Sequence, residues 1–214
     1  MNNKEKLIMF MTIGDGHLEK KNLQIIHSEK QLSYLEWKKS LLVDSGIECG
    51  NTKLRINNRN PKPQYLIQSP SNAFYFRTKS YEWIKELRSI LYPVKSKSIS
   101  AKVLGELDPL GLAIWYMDDG GLSQKKQDGK IMANDLMINT GLQKSENQII
   151  IDYFKSSWDI SFSQVKNHNC YRLRCGTKEA RKFVDIIYPY VSQIPDMHYK
   201  INIKNYSFLN SERK

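Results

Sequence analysis

The chain has 214 residues, with 33 Lys and Arg against 22 Asp and Glu and a formal charge of +11. Hydrophobic residues make up 40% and aromatics 11%, enough to bury a core of one or two domains and too many for a disordered chain. The positive excess points to a polyanionic partner, and nucleic acid is preferred to a membrane surface because no apolar run approaches the ~20 residues of a span.

The opening stretch MNNKEKLIMFMTIGDG lacks the basic, apolar, small-residue order of a secretory signal, so a cytoplasmic or organelle-encoded product is expected. The 3 cysteines, Cys49, Cys170 and Cys175, show no CxxC spacing, which argues against a disulfide framework or a zinc site. The 4 histidines, His17, His27, His168 and His198, are scattered without ligand spacing, and each is expected in a polar or packed role.

In chain order, Asn2 and Glu5 have capping-box spacing and predict a helix over 4–13, stopped by Gly14 and Gly16. NLQIIH (22–27) reads as a strand. Ser28 and Gln31 are expected to cap a helix to about Val43. TKLRIN (52–57), QYLIQ (64–68) and AFYFRT (73–78) read as strands, and 80–91 as a helix ended by Tyr92-Pro93. Asp108 as N-cap and Pro109 at the first helical position open a second apolar helix, PLGLAIWYMDDGG. DLMINT (135–140) is then a strand, Ser145 and Gln148 cap a helix through 158, and 161–167 and 170–176 are strands. The helix beginning at Lys178 is expected to end at Tyr188-Pro189.

This order repeats. FYFRTKSYEWIKELRSILYP in the first half resembles YRLRCGTKEARKFVDIIYP in the second, and each half opens on an apolar helix ending in Gly-Asp-Gly or Asp-Asp-Gly. The repeat predicts a pseudo-twofold dimer fused in one chain, with halves at 1–95 and 109–214 and a linker over 96–108. A helix C-terminus carries partial negative charge, so Asp15 and Asp119 stand against the dipole. If the two helices pack side by side, with Gly14, Gly16, Gly120 and Gly121 permitting close approach, the carboxylates converge and call for a divalent cation with hard oxygen ligands such as Mg²⁺.

LAIWYMDDG (112–120) resembles the LAGLIDADG motif, and IMFMTIGDG (8–16) resembles a divergent first copy of it. The chain is similar to the single-chain, two-repeat LAGLIDADG homing endonucleases. That resemblance implies an α+β fold of two pseudo-symmetric αββαββα repeats, with the motif helices at the interface and two antiparallel sheets forming a DNA-binding saddle. It implies a site-specific endonuclease that hydrolyses both strands of a duplex with divalent metal and leaves 3′ overhangs. Asp15 and Asp119 would be the metal-binding aspartates, and Gly14 and Asp118 would offer backbone carbonyls to the metal. Mg²⁺ is the expected ion, with Mn²⁺ as a substitute. Lys97 in SKSIS and Lys200 in MHYKI match the catalytic lysines; Lys95, Lys102 and Lys204 are neighbours that could stand in for them.

Residues 51–80 hold six basic residues and no acid, and residues 161–178 hold four and no acid. On strands of period two these place Lys53, Arg55 and Asn57 opposite Leu54 and Ile56, and Arg172 and Arg174 opposite Tyr171, Leu173 and Cys175. Such faces suit phosphate contact and major-groove reading. The candidate DNA-binding set is Lys20, Lys21, Gln24, Lys53, Arg55, Asn57, Arg59, Lys62, Arg77, Lys79, Lys125, Lys126, Lys166, Arg172, Arg174 and Lys178. The expected partner is a double-stranded DNA site, read by a monomer with no membrane association. The alternative is an RNA-splicing maturase, with intron RNA as partner, or a non-cleaving DNA-binding regulator on the same fold. The ExK-like triplets EKK (19–21) and EWK (36–38) and the segment NHN (167–169) carry too little pattern for another nuclease chemistry.

Overall fold

A computed structural model of the chain describes residues 1–56, 72–94, 96–128 and 130–203. It divides into two compact units, the first comprising Met1–Ser98 with Ile194–Asp196 and the second Ile99–Gln193 with the residues from Met197.

The first unit opens with α1 (Asn3–Ile13). The capping box forms as expected: the Asn2 side chain accepts from Glu5 N at 3.0 Å, and Glu5 accepts from Asn2 N at 2.9 Å. Every residue from Ile8 to Ile13 is buried, so α1 is enclosed on all sides rather than along one stripe. The chain then forms β1 (His17–Leu18), β2 (Leu23–Ser28), a short 3₁₀ turn (Glu29–Gln31), α2 (Leu32–Asp44), β3 (Lys53–Arg55), β4 (Ala73–Arg77) and α3 (Ile84–Leu91). Among the described residues the strands make an antiparallel sheet in the order β1-β2-β4-β3. Ile25 pairs with Phe76 and His27 with Phe74, which puts Leu23, Ile25, His27 and Phe76 on the core face.

The second unit opens with α4 (Ala101–Leu104) and α5 (Pro109–Asp119). Asp108 caps α5 by accepting from Gly111 N at 2.8 Å, with Pro109 behind it in the first turn. Gly111 through Met117 are buried, the same all-round enclosure as α1. There follow β5 (Gly120–Gln127), β6 (Lys130–Leu142), α6 (Lys144–Trp158), β7 (Ser163–Asn167), β8 (Cys170–Cys175), α7 (Thr177–Val191) and a 3₁₀ segment (Pro195–Lys200). The antiparallel sheet runs β5-β6-β8-β7, the same order as in the first unit. Its core is aromatic: Phe154 lies 4.8 Å from Phe162 and 5.9 Å from Phe183, and Phe183 lies 5.2 Å from Tyr116. Removing the Phe154 ring would cost ~3–5 kcal/mol. The expected α+β fold of two αββαββα repeats is thus present in both halves.

Several local expectations are corrected. Pro189 does not end α7, which runs on to Val191. Its missing N–H forfeits one ladder bond, but Ser192 N still donates to Tyr188 O at 3.0 Å and buried Ile187 and Val191 hold the last turn against the core. Tyr92-Pro93 does stop α3, so the two Tyr-Pro pairs are not equivalent. Ser28 makes no side-chain cap, and α2 begins after the 3₁₀ turn. Gln143 rather than Ser145 caps α6, in a box with Glu146. β3 lacks the alternating burial its sequence suggests: Leu54 and Ile56 are 49% and 60% exposed. QYLIQ lies outside the described residues.

Candidate functional site

The two apolar helices end alike. Past Ile13 the chain turns at Gly14 and Asp15, and Gly16 N donates to Met11 O at 2.8 Å. A Cβ on Gly16 would sit 2.4 Å from that same oxygen. A Cβ on Gly120 would sit 2.4 Å from Tyr116 O and 2.1 Å from the Tyr116 ring. Glycine is therefore required at 16 and 120 by each helix's own last turn. Gly121, expected to serve close approach, would meet nothing within 4 Å.

A lysine closes each of these helix ends. Lys97 Nζ, half-buried, donates to Ile13 O at 3.1 Å and to Gly14 O at 2.5 Å. Lys200 Nζ, in a residue only 5% exposed, donates to Tyr116 O at 3.5 Å, to Asp118 O at 3.2 Å and to Met117 O. Tyr116 returns the contact, its hydroxyl donating to Lys200 O at 2.8 Å, and burial pushes that phenol's pKa up. The last carbonyls of a helix lack intrahelical donors and carry the negative end of the dipole. An ammonium there satisfies both needs, so Lys97 and Lys200 are matched features of the two units although 103 positions separate them along the chain. Lys102 lies on α4, whereas Lys95 and Lys204 fall outside the described residues.

The carboxylates follow directly. Asp15 has a side chain 47% exposed, and its Oδ2 lies 3.8 Å from His27 Nδ1. It borders a cavity of about 330 Å³ in the first unit, lined also by His27, Ser28, Gln31 and Asn72. Asp118 and Asp119 are half-buried, and Asn139 donates its amide to Asp119 O at 3.1 Å. Carboxylate oxygens beside helix-end carbonyls form a hard-oxygen donor set that fits Mg²⁺ or another hard divalent cation. The carbonyls of Gly14 and Asp118 already accept from the two lysines, and each has a second lone pair. His27, expected only in a polar or packed role, stands beside the Asp15 carboxylate, a placement the sequence did not assign to it. The available signal was its period-two position on the inward face of LQIIHS, with Leu23 and Ile25.

The sheets sort the basic residues by face. Gln24 pairs with Arg77 and Lys53 with Tyr75, so Gln24, Lys53, Arg55 and Arg77 share the face opposite the core. In the second unit Arg172 and Arg174 share their outward face with Asp135, but Lys166 pairs with Tyr171 and falls on the other face. Windows free of acids in sequence are not free of them in space. Arg77 meets Glu19 at 3.1 Å and Gln24 at 2.7 Å, and Lys79 meets Glu48 at 3.9 Å. Lys21 pairs with Glu82, whose carboxyl is held down to about 2 by hydrogen bonds from Lys21 and Lys85. Asp135 takes Arg174 at 2.8 Å and Lys125 at 3.2 Å. Burial alone would raise the Asp135 pKa; the two cationic hydrogen bonds outweigh it and hold it below its usual value. Arg172 Nε is buried without a hydrogen-bond partner among the described residues. Lys20 is exposed in the β1–β2 turn and Lys178 in the first turn of α7. Asn57, Arg59, Lys62 and the Lys126 side chain lie outside the described residues.

Residues 8–183 match the model of the LAGLIDADG DNA endonuclease family, and the chain belongs to that family. It is 28% identical over 134 residues to the probable intron-encoded DNA endonuclease 3 of Mycosarcoma maydis, spanning 60% of this chain and 93% of that one. It is 27% identical over 214 residues to the cytochrome b mRNA maturase bI2 of Saccharomyces cerevisiae, covering 88% of this chain but only 45% of the maturase. A solved structure of the homing endonuclease I-WcaI bound to its DNA recognition sequence shares the fold, with a TM-score of 0.76 at 20% identity over 92% of this chain and 85% of that one.

Proposed function

We propose that the protein is a site-specific endonuclease that hydrolyses both strands of a duplex DNA target, acts as a monomer and leaves 3′ overhangs. The observation that carries this reading is the matched pair of helix ends, each with an aspartate beside the last turn and a lysine on its carbonyls. One motif aspartate per half, Asp15 and Asp119, gives one strand-cleaving centre per half. Asp15 and Asp119 would hold divalent cations, with Mg²⁺ preferred and Mn²⁺ able to replace it. Bound there, the cations supply charge relief on the scissile phosphate, an activated water and leaving-group stabilisation for an in-line displacement.

The chain's own groups do the rest. Lys97 and Lys200 bring fixed positive charge beside each carboxylate and help neutralise charge developing on the phosphate. The outward faces bearing Gln24, Lys53, Arg55 and Arg77, and Arg172 and Arg174, lie against the duplex. There Glu19 gives up Arg77 to phosphate, an exchange that costs little because exposed ion pairs contribute ~0–1 kcal/mol, whereas the buried Asp135 carboxylate holds Arg174 and Lys125 more firmly. The likeness to a yeast mRNA maturase favours a second reading, in which the same surface binds intron RNA.

Cleavage of a randomised duplex library with wild type, Asp15→Asn and Asp119→Asn tests the first reading. The expected result is Mg²⁺-dependent cutting of one selected site by wild type, with both variants still binding it. Tight, specific duplex binding by a wild type that never cuts, with Mg²⁺ or Mn²⁺, overturns it. Stimulation of intron splicing without DNA cleavage supports the maturase instead.

A further inference from the structure

Lys38, in the middle of α2, is fully buried, an uncommon place for a lysine unless a partner meets its ammonium. Its Nζ lies 3.1 Å from His27 Nε2 and 4.4 Å from the centre of the Tyr34 ring. The ammonium lies over the ring face in a cation–π contact. An ammonium only donates, so His27 Nε2 must accept and the ring proton must sit on Nδ1. Nδ1 is the nitrogen that faces Asp15 Oδ2 at 3.8 Å. His27 itself is 4% exposed and packs on Tyr34 at 4.9 Å, so its ring cannot readily turn. A small rotation of the half-exposed Asp15 carboxylate would close the gap to a hydrogen bond.

Among the described residues the second unit lacks this device. Gly120 pairs with Ile138, and the pairing of His17 with Gln24 places Gly16 opposite Ile25. Two residues further along each strand stand His27 and Thr140. Thr140 on β6 donates its hydroxyl to Asn147 Oδ1 on α6 at 2.7 Å, a neutral pair. Asn147 follows Thr140 by the same interval as Tyr34 follows His27, and the position matching Lys38 is Ile151.

We propose that Lys38 is a positioning residue for the first centre alone: it fixes the Nδ1–H tautomer of His27 and thereby the orientation of the Asp15 carboxylate. His27 then serves as a hydrogen-bond donor to that carboxylate and not as a ligand through Nδ1. The inference rests on the nuclease reading for its effect on cleavage, but the tautomer stands apart from it.

Two measurements on the full chain test it. The first is the ¹⁵N spectrum of the labelled histidine rings, tractable with 4 histidines in the chain. Wild type should show His27 protonated at Nδ1 and bare at Nε2, and Lys38→Met should lose that preference while Lys38→Arg keeps it. A wild type bare at Nδ1 overturns the proposal whether or not the protein cuts DNA. The second is cleavage of a site-bearing duplex labelled on each strand. Lys38→Met should slow one strand about 10-fold more than the other, so that nicked duplex accumulates with duplex affinity unchanged, and Lys38→Arg should restore the balance. Equal slowing of both strands, or no slowing, overturns the positioning role. A wild type that cuts neither strand defeats the nuclease reading instead, and the ring spectrum still decides the tautomer.

Discussion

The two halves repeat one backbone but not one chemistry. Each ends its apolar helix on a glycine that cannot bear a Cβ and closes that end with a lysine from a distant segment. Behind those shared parts the halves diverge. The first backs its strand with His27 and buried Lys38, the second with Thr140 and Asn147. Around the helices, Ile8, Met9, Met11 and Ile13 fill the first core, whereas Trp115, Phe154, Phe162 and Phe183 crowd the second. What is kept is whatever the helix terminus needs: satisfied carbonyls, a counter-charge and room for a tight turn. What has drifted is the side-chain chemistry that those backbone demands leave free.

Substitutions at matched positions of the two halves show how far they differ. The largest effect is expected from the carboxylates: Asp15→Asn and Asp119→Asn should each lower double-strand cleavage by roughly 100-fold or more, read as nicked against linear product. Unequal losses would show that one half dominates. Next come the glycines. Gly16→Ala and Gly120→Ala should each destabilise by about 1–3 kcal/mol, because the added methyl must displace backbone, while Gly121→Ala should be near neutral; urea unfolding measures all three. The lysines should differ in degree. Lys200→Met leaves several carbonyls without their donor in a buried site and should cost ~2 kcal/mol, and Lys97→Met, half-buried, about half as much.

The smallest effect concerns Asp135, a second-half feature. Its pKa is depressed in the folded state, so its contribution is present at neutral pH and is lost as pH falls through its folded value, below 3.8. Asp135→Asn should lower stability at pH 7 by about 1 kcal/mol or less and remove that share of the acid sensitivity, checked by thermal unfolding between pH 7 and 3.

Much of this was legible in the residues taken in order. The capping box at Asn2, the Asp108–Pro109 helix start and the Gly-Asp-Gly and Asp-Asp-Gly helix ends are local signals, each set by hydrogen bonds within a few positions. The strands holding Gln24 and Leu173 were readable from the residues, the second by its period-two alternation. The edge strand at 53–55 was not, because alternation reports a buried face only where something covers it. The end of α7 was not either, because packing of Ile187 and Val191 outweighs one missing N–H.

Periodicity, composition and short-range spacing made legible the duplicated run of apolar helix, strand, helix, strands and helix, the basic character and the placing of Asp15 and Asp119 at the helix ends, whereas the first strand of each half, β1 and β5, followed only from the family resemblance. Folding alone brings Lys97 and Lys200 onto the helix-end carbonyls, sets Glu19 and Asp135 against Arg77 and Arg174, and carries Lys38 to His27. Each of those contacts joins elements far apart along the chain, and no local preference records which partner a buried or half-buried charge will find.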